Sequence, residues 1–135
     1  ARRGGGAFLN GQPIRVSERP LAEGIFLMGT AIYKREYLEP TMRLTQALFR
    51  RSCDFRRLGS AALDLCYVAC GRAELFFEYS LCPWDYAAGS LLVAEAGGTA
   101  CTLEEAPLPI TERSSVWVSG KTNRGILTEL REAGL

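Results

Sequence analysis

Histidine is absent from the 135 residues. That excludes every histidine-based nucleophilic triad and removes the commonest zinc ligand. Aspartate is scarce: only Asp54, Asp64 and Asp85 occur, and no two are three apart. The five cysteines (Cys53, Cys66, Cys70, Cys82 and Cys101) are odd in number and form no C-x-x-C pair. A disulfide framework or a metal site built on them is therefore not expected. Buried thiols in a reducing, cytoplasmic compartment are. No apolar run reaches the ~18 residues that a membrane helix needs, and the glycine- and arginine-rich start lacks the pattern of a secretory leader. Sixteen basic residues against fifteen acidic give a net charge of +1, so no broad field attracts nucleic acid or an anionic membrane. The arginine pairs at positions 2–3, 50–51 and 56–57 are not interleaved with aromatics, as a single-strand binding platform requires. Neither nucleic acid nor membrane is expected as a partner.

What is present is the composition of one globular domain, 47% hydrophobic and 23% charged, too apolar for a disordered chain. AFL and QPIRVS are short extended runs around Asn10-Gly11, the strongest two-residue hairpin signal. Ile25 to Met28, bounded by glycines, reads as a buried strand. Residues 40–52 predict a helix with Thr41 as its cap, an apolar stripe of Leu44, Ala47 and Leu48, and Arg50 and Arg51 at its end. Phe55 to Leu58 predicts a short strand. AALDLCYVAC after Gly59-Ser60 predicts a helix apolar nearly all round, hence buried between layers, and Gly71 stops it. Ala73 to Glu78 reads as a strand. Pro83 opens a helix that runs to Gly97-Gly98. Residues 99–103 and 115–119 read as strands, and Thr122 caps a closing helix with Ile126, Leu127 and Leu130 inside. Strands alternating with helices make the fold α/β, in one domain without repeat or linker.

Chemistry concentrates between residues 59 and 98. Gly59-Ser60 starts a helix, so backbone N–H groups and a hydroxyl face whatever lies in front of it. Glu78 ends a strand, where α/β folds place binding groups. Asp85 lies in the first turn of the next helix, where the dipole favours a carboxylate that can hold a hard cation such as Mg²⁺. Each also has a structural role open to it: Ser60 as an N-cap, Asp85 as partner of the dipole, Glu78 as a solvated strand end. Asp64, inside an apolar helix, requires a partner if buried, and a structural hydrogen bond is the expected one. Glu95 near a helix C-terminus opposes the dipole without a local reason. Trp84 is expected in the core. A cysteine nucleophile has no histidine to serve as its base, and Cys66 and Cys70 share an apolar helix face.

Trp84-Asp85-Tyr86-Ala87-Ala88-Gly89 followed by Glu95-Ala96-Gly97-Gly98 resembles the second signature, W-D-x-A-A-G then E-A-G-G, of the inositol monophosphatase family of metal-dependent sugar phosphatases. GGGAFLNGQPIRVS resembles the hairpin of that family, RRLGSAALDLCYVACGRAELFFE its substrate-side helix and strand, and SVWVSGKTNRGILTEL its last strand and helix. The resemblance implies the C-terminal portion of an αβαβα sugar-phosphatase fold. It implies that Asp85 binds a catalytic Mg²⁺ and contacts substrate, and that Glu78 accepts a hydrogen bond from a sugar hydroxyl. Gly59 would form the turn before a helix whose Ser60 and Ala61 line the sugar pocket, and Trp84 would serve in packing.

The first signature of the family, D-P-[IL]-D-G-[ST], has no counterpart here, nor has the upstream acidic pair. The chain is therefore expected to be a C-terminal half, residues 1–135, without the N-terminal metal-binding half. Two-metal hydrolysis needs cations ~3.5–4 Å apart, neutralised by several carboxylates. One aspartate cannot offset their repulsion, and Mg²⁺ on one protein ligand stays largely hydrated. The expected function is part of a Mg²⁺-dependent phosphomonoesterase for inositol monophosphate or a related small sugar or alcohol phosphate. It would be inactive until joined by the missing half or a second chain, and dimeric as the family commonly is. The alternative is a non-catalytic phosphatase-like binding or regulatory module.

Overall fold

The computed structural model describes residues 1–135. The N-terminal hairpin pairs β1 (Phe8–Leu9) with β2 (Gln12–Pro13). Asn10 and Gly11 turn it with φ of 50° and 79°, the conformation that makes Asn-Gly favourable there. After β3 (Ile25–Met28) come α1 (Leu38–Phe49), β4 (Asp54–Arg56), α2 (Ala61–Ala69), β5 (Leu75–Leu81), α3 (Pro83–Glu95), β6 (Thr99–Cys101), β7 (Ser114–Ser119) and α4 (Ile126–Glu132). A five-stranded sheet runs β4-β3-β5-β7-β6, with β3 parallel to β4 and β5, and β7 antiparallel to β5 and β6.

Alternation along the central strands divides the core in two. Phe26, Leu75, Phe77 and Trp117 face Leu44 and Leu48 of α1 and Leu127 and Leu130 of α4. Leu27, Phe76, Val116 and Val118 face Leu65 and Val68 of α2 and Tyr86 and Val93 of α3. The α/β expectation holds as a helix–sheet–helix sandwich. Close packing of α2 on α3 depends on Gly89, where an added Cβ would come within 2.6 Å of the Leu65 Cβ.

Several local expectations fail for physical reasons. Thr41 does not cap α1, because a 3₁₀ turn at Arg35–Tyr37 leads directly into the helix and places Thr41 inside it, buried. Thr122 does not cap α4: a 3₁₀ turn at Lys121–Asn123 intervenes, and the Thr122 hydroxyl donates to the Glu18 carbonyl. The helix α2 is not buried all round, since Leu63 is 52% exposed. Trp84 is not core but 80% exposed, because Pro83 and Trp84 form the outer side of the first turn of α3. The cysteines are all free, but none is fully buried: Cys53 is exposed and the other four are half-buried.

Two carboxylates clamp distant segments. Glu95 accepts the Gly4 and Gly6 amides at 2.8 and 2.9 Å, which is the reason for an acid at the end of α3. Those two amides hold its carboxyl below the ordinary range. Glu74, fully buried before β5, accepts the Ile25 amide at 2.7 Å, the Ser17 hydroxyl at 3.0 Å and the Arg19 guanidinium at 3.0 Å. Gly24 makes room for it: a Cβ there would lie 2.0 Å from Glu74 Oε2.

Candidate functional site

A cavity of about 460 Å³ opens at the C-terminal ends of the parallel strands β3 and β5, where α/β sheets bind ligands. Its walls are the loop Gly29 to Lys34 after β3, the turn Arg57–Asp64 that starts α2, and the segment from Glu78 to Asp85 that ends β5 and starts α3. Gly59, Ser60, Ala61, Glu78 and Asp85, all singled out from the sequence, line this one cavity.

Each is held for a visible reason. Glu78 does not end its strand: β5 continues to Leu81 because a bulge between Glu78 and Leu81 shifts the pairing with β7. Bulges beside a site re-aim side chains. The carboxylate is half-buried rather than solvated, with Oε1 accepting the Ala31 amide at 3.0 Å. Ala31 reaches that position with a φ of 45°, an uncommon conformation for a residue with a Cβ. Gly29 makes the space, since a Cβ there would lie 1.9 Å from Glu78 Oε2.

Ser60 occupies the N-cap position of α2, but its hydroxyl makes no capping hydrogen bond, so it stays free on the cavity wall. Gly59 takes a φ of 88°, which a side chain would strain. Asp85 is the third residue of α3, and its Oδ2 accepts the Cys82 amide at 2.9 Å. This contact fixes the side chain and leaves Oδ1 without a partner in the chain, on a half-buried residue facing the cavity.

Burial pushes the Glu78 carboxyl above its ordinary range; the Asp85 charge adds to this, while the Ala31 amide and Arg57 oppose it. Asp64 departs furthest from expectation. It is 1% exposed, and no structural hydrogen bond reaches its carboxylate; Oδ1 is sealed and unpaired. Burial pushes its carboxyl up to about 7, with the Glu78 charge adding and Arg57 opposing.

Sequence reading missed the loop after β3, Arg57 and Arg113. The position of that loop at the end of a buried strand was the available signal. Arg57 Nε donates to Thr30 at 3.1 Å and Arg113 to Ser80 at 3.3 Å, so the cavity carries the cations Lys34, Arg57 and Arg113 beside the acids Asp64, Glu78 and Asp85. All the acidic donors are oxygens, the set a hard cation such as Mg²⁺ prefers. They do not form a cluster of three ligands that could hold a metal, so Asp85 suits Mg²⁺ as one ligand among several. Cys66 and Cys101 are not suited as nucleophiles: burial pushes their thiols up, away from the reactive thiolate.

The chain is 46% identical over 110 residues to the Nus factor SuhB of Xylella fastidiosa, covering 81% of this chain and 40% of that protein. It is 38% identical over 134 residues to the chloroplastic phosphatase IMPL1 of Arabidopsis thaliana, covering 98% of this chain and 36% of that one. The crystal structure of the extragenic suppressor protein suhB from Bartonella henselae superposes with a TM-score of 0.90 at 32% identity, over all of this chain and 52% of that one. The chain thus spans about half the length, or less, of the proteins it matches. No helix is long and apolar enough to cross a membrane. The description of the inositol monophosphatase family matches residues 1–135, and the chain belongs to that family.

Proposed function

We propose that this chain supplies the alcohol-binding wall and one metal ligand of a Mg²⁺-dependent phosphomonoesterase. Its substrate is inositol monophosphate or a related small sugar or alcohol phosphate. The observation that carries the reading is the convergence of Asp85, Glu78 and Ser60 on one cavity at the strand ends. A Mg²⁺ ion on Asp85 Oδ1 would neutralise phosphate charge and lower the pKa of a bound water. The contribution of the chain is orientation. Asp85 is fixed by the Cys82 amide, Glu78 by the Ala31 amide, and the Ser60 hydroxyl and the first amides of α2 are left free toward the ester. Glu78 accepts a hydroxyl of the leaving alcohol, with Ser60 and Ala61 beside it.

The isolated chain is inactive in this account, because one available metal ligand cannot gather two divalent ions. An N-terminal half or a second chain supplies the rest, and the enzyme works as a homodimer in the cytoplasm. The test is hydrolysis of inositol monophosphate with Mg²⁺. The isolated chain shows no turnover, and the assembled enzyme loses its activity in Asp85→Asn; ordinary turnover by the chain alone overturns the reading.

The name Nus factor, carried by a relative, favours a second reading as a non-catalytic binding module. Calorimetry separates the two. Millimolar Mg²⁺ binding lost in Asp85→Ala supports the phosphatase, whereas a stable homodimer that binds no Mg²⁺ supports the module.

A further inference from the structure

Asp64 is the one carboxylate in the molecule that the fold leaves without any hydrogen bond while burying it to 1% exposure. Buried polar groups in folded proteins are almost always paired, and an unpaired buried carboxylate is costly. Nothing local requires an acid at this position. The helix α2 already has its first backbone bond, from the Asp64 amide to the Ser60 carbonyl at 2.9 Å, and the flanking Leu65 and Val68 need only apolar company. Yet the side chain belongs to the wall of the cavity, on the side shared with Ser60 and Glu78. A local rule broken at a cavity wall indicates that the missing partner comes with the ligand.

The chemistry of that partner is constrained. An ionised Asp64 repels a phosphate oxygen at short range in a partly dry site. The metal is assigned above to Asp85, whose Oδ1 is the open oxygen on the cavity wall. A neutral hydroxyl donor remains. Glu78 spends part of its acceptor capacity on the Ala31 amide, which ties down Oε1. A polyol with two neighbouring hydroxyls is held in one orientation when a second acceptor stands beside Glu78.

We propose that Asp64 is that acceptor, a specificity-determining residue that takes a hydrogen bond from a second hydroxyl of the leaving alcohol through one held water, at Oδ2 rather than at the sealed Oδ1. The inference rests on the phosphatase reading above and adds a residue to the alcohol side of its site. A water held between the two is nearly as good as direct contact.

The test compares two esters of the same ring, inositol monophosphate and cyclohexyl phosphate, which lacks the hydroxyls. Both are assayed on the assembled enzyme with Mg²⁺, as wild type, Asp64→Asn and Asp64→Leu. The ratio of kcat/KM for the two esters falls at least tenfold in Asp64→Leu, mainly through KM, and by a smaller factor in Asp64→Asn, which keeps an acceptor oxygen and nearly the same size. Above pH 7, where Asp64 is ionised, both variants melt at the wild-type temperature or higher, since each removes an unpaired buried charge. An unchanged ratio, with both esters falling together or neither falling, overturns the proposal. So does a lower melting temperature in Asp64→Asn, which marks a structural partner for the carboxylate. If the wild type hydrolyses neither ester, the phosphatase reading fails first and this inference with it.

Discussion

The two glutamates of the β5 region, four residues apart, sit in opposite circumstances. Each presses against a glycine of the β3 segment so closely that a Cβ would collide with it, Gly24 for Glu74 and Gly29 for Glu78. Glu74 has filled its acceptor sites with the Ile25 amide, the Ser17 hydroxyl and Arg19. Glu78 receives one amide, and its neighbours Asp64 and Asp85 keep oxygens unpaired beside it. The same residue type in the same packing arrangement is closed just before β5 and open in the middle of it. The difference shows where the chain has put stability and where it has kept bonding capacity for a ligand.

That contrast can be broken most severely at Asp85. Asp85→Asn keeps the size and the bond to the Cys82 amide but removes the charge; kcat on inositol monophosphate is expected to fall by about 10³-fold or more, with unchanged circular dichroism. Next comes Gly29→Ala. Its backbone tolerates a side chain, but the new methyl displaces Glu78; kcat/KM is expected to fall by about 10- to 100-fold, as a misplaced binding group does. Gly24→Ala, by contrast, disturbs Glu74 and shows itself in the denaturation midpoint.

The comparison is sharpened by pH. Burial raises the Asp64 carboxyl to about 7, with Glu78 adding to the shift and Arg57 opposing it, while the unfolded carboxyl ionises near ~4. Folding therefore takes up a proton between those values. Stability is full below ~4, declines as pH rises toward 7, and levels off above it. The stability of wild type relative to Asp64→Asn, measured by denaturant unfolding, is expected to fall over that window and then stay constant. The smallest effect belongs to Glu95→Gln. It weakens the acceptor for Gly4 and Gly6 and raises amide exchange in the N-terminal loop, with little change in global stability.

Much of this was legible in the order of residues. Ile25–Met28 is the strand that its apolar run predicts, and α3 starts at Pro83 and ends before Gly97, whose φ is 88°. The five site residues share one cavity because strand ends and helix starts in an α/β layer face the same way. What escaped the sequence depends on distance along the chain. The partners of Glu95 lie about ninety residues away, and Glu74 needs Ser17, Arg19 and Gly24 brought to it. No pattern around Asp64 announces a missing partner, because the absence exists only once α2 is packed beside β5. Trp84 misled for a related reason: its bulk signals a core, but the first turn of α3 points it outward.

The division of labour along β5 is tested most directly by measuring unfolding free energy and kcat/KM on inositol monophosphate for Glu74→Gln and Glu78→Gln in the same assembled enzyme. The account predicts opposite losses. Glu74→Gln is destabilised by about 1–3 kcal/mol with catalysis intact while folded, and Glu78→Gln keeps its stability but loses at least tenfold in kcat/KM. Parallel losses in both variants, or catalysis lost in Glu74→Gln at full folding, would contradict it.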